Sequence, residues 1–317
     1  MPRSGKDNAA GRVRSWLGRY GIVTALAGLC MLLSIVAPNF LTLQNWIIVI
    51  RQISINGILA VGVTCVLLAG GVDLSLGSMV ALAGVVAASF AHPGQYPLIV
   101  PILAGVATGM FGGMINGVIV TRGKVAPFIV TLGMMSAARG LALVVSGGKP
   151  VSNLSSSFTS IGSSDWLGIP IPIVILIVVT ALSCLFLANT RLGRYIYAVG
   201  GNENAARASG IHVDAVKTFT YAMSGAMAGL AGVVLASRIT TGQPNAGLAY
   251  ELDAIAAVVI GGTSLSGGVG GVVGTIQGSL LMGVINNGLD LMNMSSYYQQ
   301  IVKGAIIVGA VWLDKSE

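Results

Sequence analysis

Runs of about twenty apolar residues, the length a helix needs to cross the hydrocarbon of a bilayer, recur along this chain with little sequence between them. They fall at 20–37, 52–69, 72–91, 97–120, 126–146, 167–188, 216–237, 251–264, 270–290 and 297–313. Inside lipid every backbone N–H and C=O must be satisfied within the protein, so runs of this length fold as helices. The pattern predicts an all-α, polytopic membrane protein of about ten transmembrane helices. The eighth run is short and interrupted by glycine, which fits a half-helix or re-entrant element. Composition closes off a soluble fold: apolar residues are 54% of the chain and charged residues 9%, against roughly a quarter charged in soluble domains.

The net charge of +7 is not a nucleic-acid signature, which needs a basic face. The lysines and arginines sit in short segments between apolar runs, where they set topology. Starting inside, the cytoplasmic segments are 1–19, 70–71, 121–125, 189–215, 265–269 and 314–317, and with Lys217 they hold twelve of the seventeen Lys and Arg residues. This bias predicts that both termini are cytoplasmic. Residues 1–19 then form a basic cytoplasmic tail, and 20–317 a single transmembrane domain. The run at 20–37 lacks a small-x-small cleavage site and reads as a retained span. Trp46, Trp166, Tyr297 and Tyr298 on one side, and Trp16, Tyr20, Tyr195, Tyr197 and Trp312 on the other, fit an interfacial belt.

Two runs carry glycine every fourth residue: Gly105, Gly109, Gly113 and Gly117, then Gly270, Gly274 and Gly278. Such stripes let another backbone approach closely. Packing inside the bundle is the favoured partner and a dimer interface the alternative. The same runs share Gly113-Met-Ile-Asn116 and Gly283-Val-Ile-Asn286. They lie five spans apart, so a repeat relating them is inverted across the membrane, an arrangement common in transporters.

Intramembrane charge costs about 2.5–3.5 kcal/mol on insertion scales, so each instance calls for a reason. In Gly70-Gly-Val-Asp-Leu-Ser-Leu-Gly77, either Asp73 or Ser75 caps the third helix, or Asp73 belongs to a gate or substrate path. Arg139 and Lys303 lie near the outer face and are expected to snorkel. Glu251 and Asp253 are candidates for an ion pair with Arg238 at the outer mouth. Asn116, Asn286 and Asn287 either face a polar conduit, where they would hydrogen-bond a hydroxyl-bearing substrate, or bond between helices, the slightly favoured reading. Cys30, Cys65 and Cys184 sit in apolar runs as small hydrophobes, and His92 and His212 lie in separate loops, so no metal site is predicted. No nucleophile–base pair or carboxylate dyad stands out, and no catalytic residues are assigned.

The loop 189–215 is the most informative segment. Asn202 is placed to cap a short helix with Glu203 in its first turn, Ala205, Ala206 and Ala208 follow, and Gly210 is placed to end it. A rigid helix of small residues suits docking into a cleft on a partner; an ordinary amphipathic connector is the alternative. The chain resembles the permease subunits of ribose-type ABC importers, within the branched-chain amino acid and monosaccharide permease family. The likeness rests on Gly70–Gly77, Thr190-Arg-Leu-Gly-Arg-Tyr-Ile-Tyr-Ala-Val-Gly-Gly-Asn202, Tyr250-Glu-Leu-Asp-Ala-Ile-Ala-Ala-Val-Val-Ile-Gly-Gly-Thr-Ser-Leu265, Asn287-Gly-Leu and Ser295-Ser-Tyr-Tyr-Gln-Gln-Ile-Val-Lys303. It runs from about residue 35 to the C-terminus; Leu76 stands where valine is commoner, and the 1–19 tail has no counterpart.

The resemblance implies a monosaccharide importer of the bacterial inner membrane, built from two copies of this chain, two cytoplasmic ATPase chains and a periplasmic sugar-binding protein. It also implies that 200–211 is the coupling segment, with Gly200, Gly201, Asn202, Glu203, Ala205, Ala206, Ser209 and Gly210 meeting the ATPase. Asp73, Ser75, Asn116, Asn286 and Asn287 are the candidates for the substrate path. Leu265-Ser-Gly-Gly-Val269 mimics the signature loop of an ABC ATPase, but the chain has no G-x-x-x-x-G-K-[ST] to hold phosphates. No cofactor is therefore expected on this chain, and any ATP belongs to a partner. The competing reading is a secondary transporter coupled to protons or sodium through Asp73.

Overall fold

The computed structural model describes residues 7–314, with side chains described from 21 to 309 except at 296 and 307. Trp16, Tyr20 and Trp312 of the expected belt, and residues 1–6 and 315–317, lie outside the described residues. Among the described residues, thirteen helices and one two-stranded hairpin follow in order. The first half holds α1 (Asp7–Val36), α2 (Leu43–Leu68), α3 (Leu76–Ser89), α4 (Ile99–Arg122) and α5 (Pro127–Ser146). Next come α6 (Ser156–Ser163), antiparallel β1 (Asp165–Trp166) and β2 (Ile169–Pro170), α7 (Ile171–Asn189), α8 (Arg191–Gly201) and α9 (Glu203–Ala208). The last four are α10 (Val213–Arg238), α11 (Tyr250–Ile260), α12 (Val272–Leu291) and α13 (Ser296–Asp314).

Among the described residues, α2, α4, α5, α7 and α10 are long and apolar enough to cross a membrane, and α3 and residues 21–36 of α1 are shorter apolar helices. Local chemistry sets the ends. Thr42 Oγ1 accepts the Asn45 amide to start α2. Pro127 opens α5 and left-handed Gly147 closes it. The expected short eighth run appears as the 11-residue α11, about 16 Å long at 1.5 Å per residue and well short of a bilayer's hydrocarbon.

Helices α2 and α10 are the most enclosed of the long ones. Helix α10 packs on α3 and α4, while α2 packs on α11, α12 and α7. The glycine stripes face inward, not toward a second copy. A Cβ on Gly109 would collide with Gly225 and Gly229 of α10, one on Gly113 with the Tyr221 carbonyl, and one on Gly117 with Thr218. The contact is reciprocal, because a Cβ on Gly225 would strike the Gly109 carbonyl. Gly274 and Gly278 pack in the same way on Gly261 and Ala257 of α11. Gly270 falls outside its stripe: it precedes α12 with φ +131 and lies against Thr263. Bare backbones in contact gain dispersion over their whole length without displacing a side chain.

Candidate functional site

Three of the five path candidates come together. Between α2 and α3 the backbone runs irregularly through Gly70–Ser75, with Asp73 and Ser75 about 1% exposed. Asp73 Oδ1 accepts the Ser75 amide at 3.0 Å and the Ser75 hydroxyl at 2.6 Å, and Oδ2 accepts the Ser224 hydroxyl of α10 at 3.0 Å. Asn116 of α4 donates from Nδ2 to Ser75 Oγ at 3.0 Å. Tyr221 of α10 donates to the Val72 carbonyl at 3.1 Å. No lysine or arginine pairs with Asp73 among the described residues. Of the two capping candidates Ser75 is not one, since it already has helical backbone (φ −81, ψ −10) and its side chain makes no cap bond, whereas Asp73 accepts the Ser75 amide ahead of α3 as a cap does. Asp73 ties the irregular segment to itself and to α10. Ser224 and Tyr221 carried no signal in sequence, because single polar residues in apolar helices look alike until the helices are packed.

The other two candidates stand apart from Asp73. Asn287 exchanges two amide bonds with Asn45 of α2, at 2.9 and 2.8 Å, and so clasps α12 to α2. Asn286 is buried beside it in sequence, with Oδ1 lacking a protein partner; Asn116 Oδ1 is in the same position.

The expected outer-mouth ion pair with Arg238 does not form. Asp253, 4% exposed at the start of α11, accepts from Lys303 of α13 at 2.8 Å, and Glu251 lies against Gly77. Arg139 Nη1 donates to the carbonyls of Pro244 and Ala246 at 2.7 and 2.8 Å. Both long side chains thus have protein partners, which sequence spacing could not name because it shows depth but not a neighbour. Arg51, placed in a loop by the span count, sits inside α2 and pairs with Asp165 at 2.9 Å.

The loop 189–215 folds as two helices joined at Asn202. Thr190 caps α8 through the Gly193 amide at 3.0 Å. Asn202 ends α8 and caps α9, accepting the Ala205 amide at 2.9 Å. Gly210 at φ +83 then lets the Ile211 amide reach the Ala206 carbonyl, at 3.1 Å. Two ion pairs fasten α9 to α10, Glu203–Lys217 at 2.5 Å and Arg207–Asp214 at 3.0 Å, and Arg207–Glu203 at 3.3 Å links them within α9. The Lys217 hydrogen bond holds the Glu203 carboxyl below its usual range. Gly201, Asn202, Ala205, Ser209 and Gly210 are exposed, whereas Ala206 is buried as an anchor.

Gly200 also faces inward. A Cβ there would collide with the Leu68 carbonyl and the Gly268 amide, while one on Gly201 meets nothing within 4 Å. The Gly268 amide donates to the Leu68 carbonyl at 3.0 Å, and Gly267, at φ +90, packs on Gly200 and Gly70. The Leu265–Val269 motif is thus a turn where three backbones meet: the end of α2, the end of α8, and the link into α12. Gly70 lies three residues from Asp73. The end of α8, which Asn202 joins to α9, therefore packs on backbone that lies three residues from Asp73.

The family model for the permease component of branched-chain amino acid transport systems matches residues 45–311. The chain belongs to this permease family. The permease is 46% identical over 294 residues to the ribose import permease protein of Haemophilus influenzae, covering 92% of this chain and 91% of the relative. It is 47% identical over 291 residues to the ribose import permease protein of Bacillus subtilis, covering 91% and 90%. The L-arabinose transport system permease protein of Escherichia coli is 38% identical over 302 residues, covering 95% and 92%. No solved structure matches the chain. This permease is a multi-pass membrane protein and a transport subunit, not an enzyme.

Proposed function

We propose that this permease moves a monosaccharide, ribose or a similar sugar, from periplasm to cytoplasm as the membrane subunit of an ATP-binding cassette importer in the bacterial inner membrane. The observation that carries the reading is the 45–47% identity to ribose import permeases across nine-tenths of both chains, with arabinose and allose permeases at 37–38%. Helices α8 and α9 support it: a doubly capped, ion-paired element presents small exposed residues, as a docking surface for an ATPase requires. ATP sits on that cytoplasmic partner, and a periplasmic binding protein delivers and selects the sugar. The assembly contains two copies of this chain.

Ten helices span the bilayer with both termini in the cytoplasm, and the two halves form an inverted repeat. Support for the repeat comes from helix order. Helices α2 to α5 measure 26, 14, 24 and 20 residues, and α10 to α13 measure 26, 11, 20 and 19. Each long first helix packs on the short helix of the other half and on the one after it. The Gly113–Asn116 and Gly283–Asn286 motifs fall on the matching helices α4 and α12. Two such interlocked halves offer two arrangements whose balance ATP and sugar bias.

A mild-detergent purification from native membranes tests the function. One ATPase chain co-purifying at near-equal amount, and lost on Gly201→Arg without loss of membrane insertion, supports it. A permease that comes free of ATPase and transports in vesicles without ATP replaces it with the ion-coupled reading through Asp73.

A further inference from the structure

Beside α9 lies a groove of about 650 Å³ between α4 and α10. Its wall is apolar: Met114 and Val118 of α4 and Phe219 of α10 are each between a third and two-fifths exposed. Its end is polar, lined by Thr121, Arg122 and His212. There it continues into a second cleft of about 680 Å³, which adds Lys124 and Lys217 and shares Thr121, Arg207 and Asp214 with the first.

The charges of the two clefts do not cancel. Glu203 and Asp214 are taken up by Lys217 and Arg207, whereas Arg122 and Lys124 have no carboxylate partner among the described residues. Four cations against two carboxylates leave a net charge of +2, with histidine neutral. Lys124 also holds a left-handed backbone, φ +52, although Gly123 next to it has an ordinary φ of −74. The strain falls on the lysine and not on the residue that would relieve it.

Both groove walls belong to helices that cross the bilayer, so the apolar length faces acyl chains and the basic end faces headgroups. We infer that this groove is a binding site for an anionic phospholipid, its phosphate held between Arg122 and Lys124 and one acyl chain lying along Met114, Val118 and Phe219. Basic clefts between spans at the cytoplasmic surface hold anionic headgroups by this chemistry. The lipid would brace the base of α10, the helix to which Glu203 and Arg207 fasten α9. The inference requires only that α4 and α10 cross the membrane, and it stands or falls apart from the identity of the cargo.

The test reconstitutes the full permease in nanodiscs of mixed phosphatidylcholine and phosphatidylglycerol, then counts retained lipids by native mass spectrometry. Wild type is expected to keep phosphatidylglycerol over phosphatidylcholine by on the order of tenfold. Arg122→Ala/Lys124→Ala should abolish that preference, while Arg191→Ala/Arg194→Ala, which removes the same charge from α8, should keep it. Arg122→Gln/Lys124→Gln serves if the alanine pair folds poorly. Phosphatidylglycerol with a photoreactive acyl chain should label residues 114–118 and 219–222. Equal loss in both double mutants, equal labelling by the phosphatidylcholine analogue, or displacement by millimolar inorganic phosphate overturns the lipid assignment. So does cross-linking of Val118→Cys to a second copy or to an ATPase chain, because the groove would then be covered by protein.

Discussion

The two short helices α3 and α11 each begin beside a buried carboxylate, and the chain makes the two burials tolerable in opposite ways. Asp253 meets a cation: Lys303 reaches it from α13 at 2.8 Å. Asp73 meets only neutral donors, two from Ser75 and one from Ser224. An ion pair fixes distance between two helices but leaves a full charge behind if either partner moves. A set of hydroxyl and amide donors spreads the interaction and survives exchange of one donor for another. The Asp73 end is also where α8 and the Leu265–Val269 turn meet α2, so the neutral cage sits at the junction with the docking element. The paired charge sits at the start of the other short helix, where Glu251 lies against Gly77 of α3.

The largest effect expected from this contrast is on the ion pair. Lys303→Ala strands Asp253, whose Oδ1 already lacks a protein partner, and should cost about 3–5 kcal/mol. Asp253→Asn/Lys303→Met removes both charges and should recover most of that loss. Thermal melting in detergent reads both, and an additive double mutant would show that the two residues do not act as a pair. At the other end, Asp73→Ala leaves the Ser75 and Ser224 donors unmet, at about 1–3 kcal/mol. Asp73→Asn keeps an acceptor for Ser75 and should melt within about 1 kcal/mol of wild type. Its ATP-driven uptake should persist. A folded Asp73→Asn protein that has lost uptake would place Asp73 in the transport cycle and turn the contrast into one of function.

Adjacent glycines sharpen the comparison at the junction. Gly200→Ala drives a methyl into the Leu68 carbonyl and should cost about 1–3 kcal/mol, while Gly201→Ala, facing open space, should leave melting unchanged. ATP hydrolysis in the assembled complex should lose its sugar dependence in Gly200→Ala, since the path from α8 to the Asp73 segment runs through that contact. Equal behaviour of the two variants would mean the backbone junction carries nothing.

Much of the fold was legible because lipid imposes a simple rule on length and polarity. Each of the ten apolar runs contains a helix, and the exceptions are instructive. Helix α2 starts at Leu43, nine residues before the run at 52, because Arg51 breaks an apolar scan but not a helix whose charged side chain has Asp165 to meet. Helix α3 starts at Leu76 and not at 72, because Val72–Ser75, counted into the apolar run, folds irregularly around Asp73. The site was legible where its bonds are local: Asn202, Ala205 and Gly210 bond within four residues along the chain, and their cap was readable from residue types alone. Asn45 and Asn287 are 242 positions apart, and Asp73 and Ser224 are 151 apart. Those pairs exist only once helix faces are chosen, which depends on the glycine contacts between α4 and α10 and between α11 and α12.

The smallest expected effect concerns the clamp on α9. The Lys217 hydrogen bond, followed by the charges of Lys217 and Arg207, holds the Glu203 carboxyl below the ordinary 4.5. A carboxylate lowered in the folded state contributes its full stabilisation above the ordinary value and loses it as pH falls through the lowered one. The Glu203 side chain is 43% exposed, so solvent screening leaves the contribution below about 1 kcal/mol. Protection factors across residues 203–211, with the intrinsic pH dependence of amide exchange divided out, should therefore be flat from neutral pH to about pH 5 and fall only below the usual glutamate range. Glu203→Gln should show the lowered protection already at neutral pH, with α10 amides from 225 onward unchanged. Protection lost already between pH 7 and 6 would mean that the Glu203 carboxylate does not set the clamp.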